Sequence, residues 1–298
     1  MENTIKLNVK EEKNKYRIAK IIKYVIIYAL LVLWSIIVLF PFYYMIMTSF
    51  KSLNDYSLET TPKLYAYSGI NAIFENYHSA LFDYNLIEAF GNTLIYALTT
   101  TFLTIVVVVL AAFAFARLNF RGKNILFTIF LALMMIPNEL VIITNYATFA
   151  NPNNDLRNTF FSMIAPSVMS IFYVYLLRQN FMQVPDNLYW AAKVDGVTDF
   201  HYLTRVLIPL SKPTIITIII LKLIECWNSY VWPRLMAQTS DYKLVSVVIE
   251  EIRSLGSGRS NIPGMMASVV MVSLPLIIIF LIFREKIMTG VSRNGAKG

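Results

Sequence analysis

Apolar residues do not alternate along this chain; they gather into long runs. Six of them approach the roughly 20 apolar residues a helix needs to cross a bilayer. They cover residues 24–47, 92–116, 125–149, 160–177, 214–231 and 264–283. The third is interrupted by Pro137, Asn138 and Glu139, the fourth contains Pro166 and the sixth Pro275. The pattern predicts an all-α polytopic membrane protein with six transmembrane helices. A basic arm (1–23) precedes a membrane domain (24–283), and a basic tail (284–298) follows it. The first run follows a basic segment, as a signal peptide would. It is too long for such an apolar region and no small-residue cleavage site follows, so it reads as a retained helix.

Composition supports this pattern. Hydrophobic types make up 57% of the 298 residues and charged types 15%, against about 25% charge in a soluble domain. The single cysteine, Cys226, excludes a disulfide scaffold. With only His78 and His201 beside it, no zinc-ligand set can be assembled. The net charge of +8 would suit a nucleic-acid binder, but its placement points elsewhere. Eighteen of the 26 Lys and Arg lie in the arm, residues 117–124, residues 178–213 and the tail, seven in the alternating loops, and Lys222 within the fifth run. The positive-inside rule then makes both termini and residues 178–213 cytoplasmic. The basic excess reports membrane orientation and calls for no nucleic acid.

Residues 178–213 are more than a connection. Pro185 and Asp186 signal a helix start. Leu188, Ala191, Ala192 and Val194 give that helix an apolar side, and Gly196 fits a C-cap at positive φ. Thr198 or Asp199 can cap a second helix with Phe200, Leu203, Val206 and Leu207 on one face. Pro209 and Pro213 stop it. The product is a helix–Gly–helix knob with Tyr189 and Trp190 expected at its surface. Two readings stand: a docking element for a cytoplasmic partner, or an amphipathic helix resting on lipid headgroups.

Lys222 falls near mid-membrane, and Glu225, three residues on, shares its helix face. Charges facing lipid cost about 2.5–3.5 kcal/mol each on insertion scales, so this face turns into the bundle. It lines a solute path with Trp227, Asn228, Ser229 and Tyr230, or it is a buried pair that locks helices and never meets solute. Glu139 is a second candidate of the same kind. Cys226 and the methionines read as packing residues. No GxxxxGK[ST] phosphate loop and no GxSxG elbow occurs in the sequence. A membrane enzyme would need clustered acids or histidines at one membrane face, and a channel would leave the knob without a purpose.

The spacing Ala191-Ala192-x-x-Asp195-Gly196, nine residues, then Val206-x-Ile208-Pro209 resembles the EAA loop of ABC importer membrane subunits. The segment Trp227-Asn228-Ser229-Tyr230-Val231-Trp232-Pro233 is similar to the W-N-x-[FY]-x-W-P signature of the sugar-importer group, the maltose-permease G type. The Pro137 region, residues 178–185 and the Asn294–Gly298 terminus also resemble that group, so the likeness spans about residues 20–298. The sequence departs from the family at Trp190, where the family carries Glu. The resemblance implies a type I ABC importer fold in a bacterial plasma membrane, with residues 178–213 as the coupling-helix loop. Tyr189, Trp190, Ala191, Ala192, Asp195, Gly196 and Pro209 would couple to an ABC ATPase dimer. It implies a second homologous permease subunit, a heterodimeric pore and an extracytoplasmic sugar-binding protein facing residues 232–263, with Gly256-Ser257-Gly258 reaching into it. ATP and Mg would reside on the ATPase, with no cofactor on this chain. The solute would be a sugar or oligosaccharide; a polyol, glycerol phosphate or another small polar solute is the alternative.

Overall fold

The computed structural model describes the backbone of residues 2–255 and 261–295, and side chains over 16–18, 20–137, 140–254 and 261–284. Gly256-Ser257-Gly258 and the last three residues lie outside the described residues. Among those described the chain is helical, with no strand. Helix α1 (Glu2–Ser49) carries the N-terminal arm and first apolar run as one rod. Two outer helices follow, α2 (Leu53–Ser57) and α3 (Ile70–Phe82). Helix α4 (Leu86–Ala116) begins at Asn85, which sits at φ +54°.

The third run is two short helices, α5 (Lys123–Leu133) and α6 (Asn138–Phe149), because Pro137 has no N–H to give and forces its predecessor out of helical geometry. The fourth is likewise broken. Helix α7 (Phe160–Ile164), continued to Ser167 past Pro166, meets α8 (Ile171–Met182) at 47°. Helices α9 (Asp186–Val194) and α10 (Asp199–Tyr202) form the loop expected as a knob. A wider turn over Leu203–Leu207 leads into α11 (Ile208–Leu210), where Pro209 sits. The chain then turns by 80° into α12 (Lys212–Trp227), which ends before the expected residue 231. Helices α13 (Val231–Met236), α14 (Val245–Leu255) and α15 (Ile262–Gly295) complete the described chain. Among the described residues, three stretches are long and apolar enough to span a bilayer unbroken: Tyr16–Ser49, Leu86–Ala116 and Ile262–Arg284.

Helix α4 is the central post. Its buried stripe, Ala89, Thr93, Ala97, Thr100, Thr104, Val108 and Ala112, is built of small residues that let α8 and α12 pack closely against it. At one end, Val108, Ala112 and Phe113 join Val174, Leu177 and Phe181 of α8 and Ile218 of α12 in one cluster, and Tyr189, Tyr202, Leu203 and Leu207 of the knob pack into it. The opposite end holds two clusters, around Trp232 and around Trp227. Leucines and isoleucines along α1 are exposed, which lipid tolerates without penalty.

The segment after α1 is held by a buried polar knot. Lys51 is fully buried, bonded to Glu59 Oε1 at 2.8 Å and to the Lys63 carbonyl at 2.7 Å. The rings of Tyr44, Tyr56 and Tyr67 surround it at about 6 Å. Burial works to raise the Glu59 carboxyl, but Lys51, the Lys63 N–H and Tyr67 outweigh it and hold it low. Burial, then Glu59, pushes the Tyr67 hydroxyl up to about 12.

Candidate functional site

The knob's geometry follows from its turn. Gly196 has φ +73°. Its N–H donates to the Lys193 carbonyl at 3.1 Å and that of Val197 to the Ala192 carbonyl at 2.8 Å. These are the paired bonds of a Schellman cap. An added Cβ at Gly196 would meet nothing within 4 Å, so the demand for glycine is backbone strain alone. Thr198 Oγ1 then accepts from the His201 N–H and caps α10. Asp199 ties the two helices: its Oδ1 takes Lys193 Nζ at 2.8 Å and the Tyr189 hydroxyl at 2.7 Å.

Lys193 and then Tyr189 hold the Asp199 carboxyl below its ordinary range, while Asp199 raises Lys193. A lowered acid contributes stability above its unfolded value, 3.8, and loses it as pH falls through the folded one. A raised base contributes below 10.5 and loses it as pH climbs past its folded value. Hydrogen-exchange protection factors over 186–207, which divide out the intrinsic pH dependence of amide exchange, should therefore be high and flat between about pH 4 and 10 and fall on the acid side. Asp199→Asn should bring the lower protection to neutral pH.

Three sequence expectations about this knob are corrected. Tyr189 is buried, edge-on to Tyr202 at 5.0 Å, because it lies on the α9 face turned toward the core. Only Trp190 of the aromatic pair is exposed. The apolar side is also rotated: Leu188, Ala191 and Val194 face outward and Ala192 packs on the core. Phe200 is exposed, and Tyr202 takes the inner position expected of it. Leu188, Ala191, Asp195 and Gly196, with His201 and Arg205 opposite, border an open groove of about 590 Å³.

A residue that sequence reasoning counted only as an orientation charge holds this unit in place. Arg117, at the end of α4, is buried. Its guanidinium donates to the Phe181 carbonyl at 2.7 Å, to the Val184 carbonyl, and to the Asp186 carboxylate. One side chain thus joins the ends of α4 and α8 to the first turn of α9.

The second feature is a cavity of about 710 Å³ where the broken spans meet. The break before α6 (Met134–Pro137), the break before α8 (Pro166–Ser170) and the end of α12 contribute its walls. Lys222, 2% exposed, binds Glu225 Oε1 at 2.7 Å, and the Tyr173 hydroxyl donates to Glu225 Oε2 at 3.1 Å. Asn145, Ser167, Ser170 and Ser229 add hydrogen-bonding groups, and Phe172 and Trp232 apolar surface. Among the described residues no group of His, Cys, Asp and Glu could hold a metal ion.

The sequence description of "binding-protein-dependent transport system inner membrane component" matches residues 105–293. The chain belongs to this family. Among curated relatives of this inner membrane component, it is 27% identical to the Bacillus subtilis arabinooligosaccharides transport system permease protein AraQ, over 89% of this chain and 92% of that one. It is 26% identical to the Streptomyces coelicolor diacetylchitobiose uptake system permease protein NgcG, over 90% and 87%. A bacterial ABC transporter that imports the acidic polysaccharide alginate shares its fold, with a TM-score of 0.76 at 20% identity over 89% of this chain and 96% of that chain. The chain is thus a multi-pass inner-membrane permease subunit with the type I ABC importer fold, and not an enzyme.

Placed in this permease, the remaining candidates divide. Lys222 and Glu225 line the cavity; Trp227, Asn228 and Tyr230 do not. Trp227 is buried against Phe90 at 6.0 Å, and its indole N–H donates to the Val272 carbonyl at 3.2 Å. It is therefore not free to stack on a sugar ring, and the solute-path role that the sequence left open for it is corrected. Asn228 caps α12 through the Ile224 carbonyl at 2.9 Å, and the Tyr230 hydroxyl accepts from Arg234. Glu139 lies in the first turn of α6, and its side chain is outside those described. Ser229, expected beside them, does line the cavity, whereas Tyr173 was missed: it comes from α8, a different span from the Lys222–Glu225 pair it meets.

Proposed function

We propose that this permease subunit carries a sugar or oligosaccharide across the bacterial plasma membrane as part of an ABC importer. The observation that carries the reading is the cavity at the broken spans. Its walls offer hydroxyl, amide and carboxylate groups, which suit a solute rich in hydroxyls. Lys222 meets Glu225 there, so a neutral solute finds no uncompensated charge. A phosphate or other anion would want an unpaired cation in that place. The names of AraQ and NgcG, both oligosaccharide systems, point the same way.

In this reading six spans over residues 24–283 pair with a second, homologous permease to make a heterodimeric pore, and both termini are cytoplasmic. An extracytoplasmic sugar-binding protein delivers the solute. An ABC ATPase dimer holds ATP and Mg, and this chain needs no cofactor. Helix α9, with exposed Trp190, Ala191 and Asp195 around the Gly196 turn, sits in a socket of that dimer. The knob is built as a rigid lever, since Asp199 and the Schellman cap fix one helix on the other, and its motion reaches α8 and α12 at either end.

The test is reconstitution with the companion subunits and labelled oligosaccharide, alongside thermal shifts of the binding protein against sugars, polyols and glycerol phosphate. ATP-driven sugar uptake is expected. Uptake of glycerol phosphate in place of any sugar would remove the carbohydrate reading. For the lever, Gly196→Asp adds left-handed strain of roughly 1–2 kcal/mol without a clash. It should insert and assemble normally while ATP hydrolysis continues and uptake falls at least about tenfold. Wild-type uptake by this variant would refute the lever.

A further inference from the structure

A separate recess of about 580 Å³ lies where the end of α4, the start of α5 and the end of α8 come together. Asn119, Lys123, Asn124 and Arg178 line it. Arg178 is half-buried and only partly used. Its Nε donates to the Phe115 carbonyl at 3.0 Å and its guanidinium lies 4.0 Å from the centre of the Phe127 ring. Among the described residues its terminal nitrogens find no acceptor. Lys123 Nζ rests on the Ala116 and Leu118 carbonyls at 3.3 and 2.9 Å and has no carboxylate partner among them. The nearby Asp186 carboxylate is taken by Arg117. The first turn of α5, whose residues Lys123, Asn124 and Ile125 border the same recess, has no side-chain cap. Two basic side chains and a helix start thus converge on a space that holds no acid.

The rim decides what kind of anion fits. Phe120, Ile125 and Met182 border the recess and are 40%, 68% and 50% exposed. A free phosphate has no use for three exposed apolar side chains. A phosphate carrying acyl chains does, and this recess opens where three membrane helices end. We propose that it is a binding site for an anionic phospholipid, with the headgroup phosphate on Arg178 and Lys123 and an acyl chain along Phe120, Ile125 and Met182. With residues 117–124 and 178–213 cytoplasmic, as in the topology proposed above, the lipid would sit in the inner leaflet; lipid retention itself is read without regard to leaflet.

Native mass spectrometry of the purified full-length chain, titrated with phosphatidylglycerol or phosphatidylcholine, tests this. Wild type should retain phosphatidylglycerol about fivefold more strongly, the worth of one basic side chain at a membrane surface. Arg178→Gln should erase the preference and Arg178→Lys should keep most of it. Ile125→Glu, at an exposed position outside the packed core, should erase it by placing a carboxylate at the rim. Equal retention of the two lipids by wild type overturns the proposal, as does a preference that survives in both Arg178→Gln and Ile125→Glu. Complete displacement of phosphatidylglycerol by inorganic phosphate would reassign the recess to a free anion.

Discussion

Arg117→Ala should abolish coupled uptake while leaving the nucleotide-hydrolysing subunits able to turn over. The guanidinium ties the end of α4 to the end of α8 and the first turn of α9. Truncation strands the carbonyls of Phe181 and Val184, enclosed acceptors that each cost about 1–3 kcal/mol when unmade. The Asp186 partner is largely solvated, so its loss adds little. A total of roughly 2–6 kcal/mol is a large fraction of a domain's stability. The damage is local, because the α4–α8–α12 core does not depend on this side chain. The expected signature is a lower melting temperature, fast hydrogen exchange confined to 181–194, and uptake down by at least about a hundredfold with assembly retained. Arg117→Lys should recover little, since an ammonium cannot serve two carbonyls and a carboxylate in a fork. A variant with normal uptake would show that the knob is positioned by its partner rather than by α4.

Arg117 also shows where the sequence stops speaking. It is one of 26 basic residues, and the positive-inside rule accounts for its presence without any contact. Its partners lie 64 to 69 residues away, so no local pattern marks them. Gly196 is the opposite case. A left-handed cap between two short helices is a backbone demand that only a few residue types meet, so residue type announced geometry. The prolines announced the breaks in the third and fourth runs but not their angles, and the cavity depends on the angles. Tyr189 and Trp190 are neighbours in sequence and their rings meet edge-on at 5.5 Å, yet only Tyr189 is buried; the choice between them was made by Tyr202 and Asp199, which belong to the next helix. Trp227 was ambiguous for a different reason. An indole beside a polar motif suggests stacking, but its N–H needs an acceptor, and the Val272 carbonyl of α15 supplies one inside the core.

Glu225→Ala should be the most damaging change within the membrane, and its double-variant partner separates the two meanings of the pair. Removing the carboxylate leaves the Lys222 ammonium 2% exposed with no counter-charge, and frees the Tyr173 hydroxyl as well. Breaking a buried pair costs about 3–5 kcal/mol, and the lower figure applies here because Glu225 is open to the cavity on one side. Lys222→Met with Glu225→Gln removes both charges and keeps the volume; such replacements are often neutral or stabilising. Thermal stability should therefore fall in Glu225→Ala and return in the double variant. Uptake should not return with it. If the carboxylate meets solute, its two oxygens, already oriented by Lys222 and Tyr173, accept hydroxyls that a glutamine amide accepts less strongly. Sugar uptake by the double variant should then stay at least about tenfold low, with the loss appearing in KM more than in the ATP turnover. Recovery of uptake together with stability would assign the pair to helix locking alone and move the solute contacts to Asn145, Ser167 and Ser229.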